Sequence, residues 1–231
     1  MSVMVFDTET TGLPGSRYIS PDTLHLWPFI VQFSYIIYNI NDDAVIKTSD
    51  FIIKLPDTEK ITDDSVKFHG ITNEISISKG VPVKIALEKF FTDLKSVDLL
   101  VGHNLSFDID MIRVELIRLI HLNISNENDA FIRNCKSNLH YLNNYKNFHC
   151  TMKENINLCK ITARNRFGEE YFKWPSLCEL HEKLFNTKPL NLHNSFNDIV
   201  VTLRCYCKIR TNVDIFTTNE YIKNFYNKTL I

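Results

Sequence analysis

The sequence predicts an α/β domain built on a mixed β-sheet. Three runs rich in β-branched and aromatic residues come first, at 3–6, 29–40 and 45–55, separated by polar turns such as Asn41-Asp42-Asp43. From residue 83 onward, helical periodicity and short extended segments alternate, which places helices against a sheet. A hydrophobic fraction of 44% in 231 residues supplies one core, and no repeat or flexible linker divides the chain.

The first three runs are expected to form an antiparallel meander. A helix is expected at 83–94, where Ile85, Leu87, Phe90, Phe91 and Leu94 recur near a 3.6 period after Pro82. Leu99-Leu100-Val101 predicts a short buried strand. A helix at 109–122 follows, with Ile112, Leu116, Leu119 and Ile120 on one side and Arg113, Glu115 and Arg118 around the other. Residues 123–147 are polar and rich in Asn, and are expected to be an insertion rather than core. A short strand near 148–151, a helix at 175–185 and a last long helix from Ser195 to about Arg210 complete the pattern.

Charge and composition narrow the function classes. A formal net charge of −1 argues against broad adhesion to a nucleic-acid backbone, which needs many Lys and Arg contacts. Contact with a single phosphate through a metal stays open. The cysteines Cys135, Cys150, Cys159, Cys178, Cys205 and Cys207 contain no C-x-x-C pair, so buried thiols in a reducing compartment are expected rather than a zinc site. No run is apolar enough to span a membrane, because 29–40 contains Gln32, Ser34 and Asn39. The early first strand leaves little room for a leader, so an intracellular protein, cytoplasmic or nuclear, is expected.

Three short segments carry chemistry. In Asp7-Thr8-Glu9-Thr10-Thr11-Gly12, residues i and i+2 of an extended strand leave the same face about 7 Å apart. Asp7 and Glu9 therefore repel unless a cation joins them, and oxygen donors suit Mg²⁺ or Mn²⁺. A D-x-E triplet alone also fits a solvated turn. Gly102-His103-Asn104-Leu105-Ser106-Phe107-Asp108 lies at the carboxyl end of a strand, the edge where ligands collect in open α/β sheets. Asp108 alone could simply favour a helix N-terminus. In His193-Asn194-Ser195-Phe196-Asn197-Asp198, Ser195 and Asp198 match a helix start with Ser195 at the N-cap. Five helical residues would turn His193 about 140° from Asp198, so His193 is expected on the preceding loop.

Together these segments resemble the DnaQ-like family of 3′–5′ exonucleases, in the branch whose signature is four acids and a histidine. Asp7 and Glu9 match its first motif, Asp108 its second, and His193 with Asp198 its third. His69-Gly70-Ile71-Thr72, Cys150-Thr151 and Pro175-Ser176-Leu177 match further family turns in the same order, so the likeness runs from about Val3 to Arg210. The sister branch has a tyrosine where Asn194 stands and its acid four residues later, and is disfavoured. Ser195 and Ile199 are modest departures, bulkier than the family's usual residues there.

The resemblance implies a ribonuclease-H-like mixed five-stranded sheet, three antiparallel strands then parallel strands, flanked by helices. It implies one exonuclease domain over 1–231, with the insertion at 123–147 and a C-terminal extension after about 211. The implied activity is hydrolysis at the 3′ end of single-stranded DNA or RNA, releasing nucleoside 5′-monophosphates with two Mg²⁺ or Mn²⁺ ions. Asp7, Glu9, Asp108 and Asp198 are implied as metal ligands, Asp7 as the bridging one, and His193 as general base. Leu13 is implied as a wedge against the terminal base, although simple packing below the turn fits it equally. The backbone at Thr10 is implied to hold the terminal 3′-hydroxyl, with Thr8, Asn104 and Phe107 completing the substrate contacts. His103 and His69 are expected to be hydrogen-bonded interior residues.

Arg164, Arg166 and Lys173, interleaved with Phe167, Tyr171, Phe172 and Trp174, could bind phosphates and stack on bases. A solvated loop with anchoring aromatics is the preferred reading of that stretch. Two alternatives stand beside the enzyme. One is a silent nucleic-acid-binding or scaffolding protein on the same fold, disfavoured because clustered acids repel phosphate. The other is a proofreading subunit of a polymerase on a separate chain; homodimer formation is left open.

Overall fold

The computed structural model describes residues 1–122 and 129–228. β1 (Ser2–Thr10) is followed by a 3₁₀ turn at Pro21–Leu26, then β2 (Ile30–Asn39) and β3 (Ala44–Ile52). Next come α1 (Asp63–His69), α2 (Asn73–Lys79), α3 (Val83–Leu94), β4 (Leu99–Gly102), α4 (Leu105–Leu122) and α5 (Ala130–Asn144). β5 (Phe148–Cys150), the one-turn α6 (Ile156–Cys159), β6 (Thr162–Arg164) and β7 (Glu170–Phe172) lead to α7 (Leu177–Phe185) and α8 (Ser195–Thr211). α9 (Ile215–Thr218) and α10 (Glu220–Lys228) end the described chain.

The main sheet has the order β3-β2-β1-β4-β5. β1 to β3 form the expected antiparallel meander, and β4 and β5 add in parallel beside β1. This mixed five-stranded sheet with flanking helices is the ribonuclease-H-like arrangement. β1 and β2 are apolar on both faces because helices cover both. On one face, Met4, Phe6, Phe33, Tyr35 and Ile37 pack against α3, α4 and α5. On the other, Val3, Val5, Ile36 and Tyr38 pack against α7, α8 and α10. The odd-numbered positions of β1 thus point toward α8.

Several local expectations change. α4 starts at Leu105, four residues early, after Asn104 turns the chain with φ 61° and accepts the Phe107 amide. Glu115 and Arg118 are buried rather than solvated. Arg118 donates to Glu115 and to the carbonyls of Leu24, Trp27 and Pro28, and its guanidinium lies 3.6 Å from the Phe29 ring centroid. A charge that satisfies so many carbonyls tolerates burial, and it staples the 3₁₀ turn to α4.

The stretch read as a polar insertion contains α5, whose Ile132, Cys135 and Leu142 join the core against α4. Residues 123–128 of that stretch lie outside the described residues. The stretch read as a solvated loop is instead the β6–β7 hairpin, and its aromatics are exposed rather than anchoring. All six cysteines are free, with Cys135, Cys205 and Cys207 buried and the other three half-buried. Among the described residues, no helix is long and apolar enough to cross a membrane.

Candidate active site

β1 ends in a bulge between Glu9 and Thr10, where the pairing partner shifts from Gln32 to Ile30. Before the bulge, Asp7 and Glu9 share the face that looks toward α8. Asp198, in the first turn of α8, meets them there: each of the three offers a carboxylate oxygen within 4.8 Å of the others. The i, i+2 spacing on β1 and the helix start on α8 are therefore brought together as the sequence predicted.

α8 is seated by a polar network that the sequence reading missed. Asn194, not Ser195, is the N-cap, and its side chain accepts from the Phe196 and Asn197 amides. Ser195 is freed for another task. Its hydroxyl lies 2.6 Å from that of Ser34, and its amide donates to Gln32 Oε1 at 3.2 Å. Gln32 and Ser34 both donate to Asp50 Oδ1 on β3. Gln32 and Ser34 stand directly opposite Glu9 and Asp7 in the β1–β2 register. The network thus fixes α8 against the same rungs that carry the acids. Polar residues in an otherwise apolar β2 were its only sequence signal.

Asp108 arrives from the opposite face of the sheet, in the first turn of α4. Its Oδ1 accepts from both the Thr8 amide, at 2.9 Å, and the Thr8 hydroxyl, at 2.7 Å. Thr8, expected to contact substrate, is instead buried and spent on holding Asp108. Asp108 stands outside the close trio yet raises the proton affinity of Asp7 and Glu9 through its charge.

The four acids hold protons far more tightly than ordinary carboxylates. Burial pushes Glu9 up to about 8, with Asp198 and Asp108 adding to it. Asp7 is raised by burial first and then by Asp108, Asp198 and Glu9. Burial also raises Asp108 and Asp198 to about 7, against hydrogen bonds from Thr8 and from the His193 backbone. Asp198 Oδ1 is buried with no hydrogen-bond partner. Orphaned oxygen, mutual repulsion and an all-oxygen donor set together fit a hard divalent cation.

His193 lies on the loop before α8, exposed, with φ 70°, a conformation uncommon for non-glycine residues. Its amide points to Asp198 Oδ2 at 3.3 Å, and its ring meets the Phe68 ring edge-on at 5.8 Å between centroids. His193, Glu9, Thr10, Leu13, Phe68 and His69 share a cleft of about 490 Å³. Leu13 is 86% exposed in it, so its side chain does not pack below the turn. The Thr10 hydroxyl donates to the Gly12 carbonyl and stiffens that turn. Asn104 is exposed on the α4 side, whereas Phe107 leans on the core.

His103 and His69 behave as interior histidines. His103 bonds Thr151 and the Pro175 carbonyl, and burial lowers its proton affinity to about 4. His69 Nδ1 accepts from the Ile71 amide.

The profile of a family described as Exonuclease (RNase_T) matches residues 4–206. No curated protein sequence matches the chain. Among solved structures, Escherichia coli Exonuclease I in complex with a dA16 oligonucleotide superposes with a TM-score of 0.56 at 16% identity, covering 94% of this chain and 42% of that one. Exonuclease I from Methylocaldum szegediense gives 0.55 at 14%, with 94% and 42% covered. A 3′-exonuclease from a structure of 3′-end specific recognition of histone mRNA stem-loop gives 0.57 at 13%, with 92% and 83% covered. At these identities the likeness concerns the fold, and the chain spans less than half the length of the Exonuclease I proteins.

Proposed function

Because the chain belongs to the exonuclease family, the DnaQ-like enzymes of ribonuclease-H-like fold, we propose that it is a metal-dependent 3′–5′ exonuclease. Its substrate would be the 3′ end of single-stranded DNA or RNA, and its product a nucleoside 5′-monophosphate. The observation that carries this reading is the meeting of Asp7, Glu9 and Asp198 oxygens within 4.8 Å, from two distant segments, beside an exposed histidine.

Asp7, Glu9 and Asp198, with Asp108 held beside them by Thr8, would hold the Mg²⁺ or Mn²⁺ ions. Bound there, such ions would neutralise the phosphodiester and acidify the attacking water. The chain's own residues do the rest. His193, on an exposed loop, accepts the proton of the water as general base, a role that suits an imidazole near neutral pH. Leu13, projecting into the cleft, wedges against the terminal base, while the stiffened Thr10 turn presents its backbone to the terminal 3′-hydroxyl. Asn104 and Phe107 flank the strand from the α4 side. The single exonuclease domain would cover the whole chain, and six free cysteines suit a reducing, intracellular compartment.

The test is a time course on 5′-labelled single strands of DNA and of RNA with Mg²⁺ or Mn²⁺, with Asp7→Ala as control. A ladder of progressively shorter labelled products from one or both polymers, abolished in the control, is expected. Internal cuts only, or full activity in Asp7→Ala, would refute the assignment.

A further inference from the structure

The β6–β7 hairpin carries a surface that the cleavage site does not use. Phe172 ends β7 opposite Thr162, Arg164 pairs with Glu170 and bonds its carboxylate, and Trp174 follows two residues beyond Phe172, the spacing that returns a side chain to the same face where the chain stays extended. Lys173 continues the ladder by donating to the Ile161 carbonyl, which keeps Trp174 in register. Phe172 is 48% and Trp174 56% exposed, and Phe167 at the hairpin tip is 72% exposed with Arg166 over its ring. Rings this exposed, on the hairpin's strand, tip and exit, contribute little to a core.

The hairpin stands on the same edge of the sheet as the acids. β4 and β5 lie beside β1, and the end of β4, Gly102, backs onto the Phe6 carbonyl next to Asp7. His103, one residue on, bonds Thr151 at the end of β5 and the carbonyl of Pro175, the residue after Trp174. Two strand spacings, roughly 10 Å, separate β1 from β5, and His103 ties the hairpin's root to the ends of β4 and β5. Lys153 bridges part of that gap. Its ammonium contacts Ser106 Oγ, two residues before Asp108, at 3.2 Å, and lies 5.9 Å from the Trp174 ring centroid.

We propose that this hairpin, with Lys153, is a second binding site for the substrate strand, stacking bases upstream of the cleaved terminus on Phe172 and Trp174 and holding a phosphate on Lys153. The site rests on the exonuclease reading for its substrate, and single-stranded nucleic acid fits it because rings spaced along an exposed strand stack bases of any identity. A basic side chain between the rings and the acids gives the path a place to carry backbone charge.

The test compares a strand of about 4 nucleotides with one of about 16, as 5′-fluorescent oligothymidylate and oligouridylate. Binding to the full chain is read by anisotropy with Ca²⁺ in place of Mg²⁺. In Phe172→Ala/Trp174→Ala, affinity for the long strand is expected to fall about tenfold or more, with the short strand unchanged. Lys153→Gln is expected to flatten the salt dependence for the long strand by about 0.7 in log–log slope. Unchanged binding of the long strand in both variants overturns the proposal. Equal losses for both lengths overturn it too, since they report a disturbed cleft. Length-dependent, hairpin-sensitive binding by a protein that hydrolyses nothing upholds this surface and refutes the exonuclease reading instead.

Discussion

Asp7, Glu9 and Asp198 were legible in the sequence because each sits where local geometry dictates its direction. The i, i+2 pair at the end of β1 points to one face, and the start of α8 delivers its acid to that face. His193 was legible for the complementary reason, that only a loop position turns it toward the same place. The structure adds how they are held. Ser195 reads as an N-cap, but Asn194 takes that role, so Ser195 can join Ser34, Gln32 and Asp50 in clamping α8 to the sheet. Such a network joins three distant segments and leaves no local spacing to read. At this scale, His193→Ala is expected to lower kcat by about 10²–10⁴ with little change in KM, as loss of a general base does; single-turnover rates would check it. Gln32→Leu is expected to lower kcat while the fold persists, because Ser195 loses its anchor and Asp198 its fixed position. Wild-type kcat in that variant would show that the network only supports the fold.

The bounds of α8 followed apolar periodicity, whereas β1 ran on through the acids to Thr10 and α4 began four residues early; the larger misses share a cause, polar composition masking a packed face. In α5, Ile132, Cys135, Leu139 and Leu142 recur at helical spacing among Asn, Lys and Ser, so the segment looked solvated although its stripe joins the core. Leu142→Ala is expected to cost about 2–5 kcal/mol, the range for truncating a buried leucine. A negligible change in urea denaturation would mean that α5 is an appendage after all. In α4, charge misled in the same way. Arg118 is expected to be critical, since removing one partner of a buried pair leaves Glu115 uncompensated; Arg118→Ala should lose about 3–5 kcal/mol. The β6–β7 hairpin was invisible because its strands are three residues long and its rings face solvent.

At the scale of the molecule, the sheet's carboxyl edge gathers acids on the ends of β1, α4 and α8, and the fold bears their repulsion when no cation is present. Glu9, Asp108 and Asp198, with proton affinities raised to about 8, 7 and 7, bind protons in the folded state that the unfolded chain has released. Through these acids the native state holds more protons between about pH 4 and 8, so their contribution to stability falls as pH rises through that window, while His103, its proton affinity lowered by burial to about 4, works the other way below about pH 6.5. The metal-free protein is expected to melt at a lower temperature at about pH 8 than at about pH 5, and Mn²⁺ to restore the midpoint chiefly at the higher pH. A midpoint that is flat or rises between about pH 6.5 and 8, above the range where the buried histidines titrate, would show that the acids are not mutually strained.

Calorimetric titration of the full chain with Mn²⁺ at neutral pH addresses the site without reference to turnover. Saturable binding with proton release is expected, because partly protonated carboxylates must ionise to become ligands. That binding should disappear in Asp7→Asn and weaken sharply in Asp198→Asn. Absence of binding in the wild-type protein, or binding untouched by both substitutions, would contradict a cluster built to hold divalent cations.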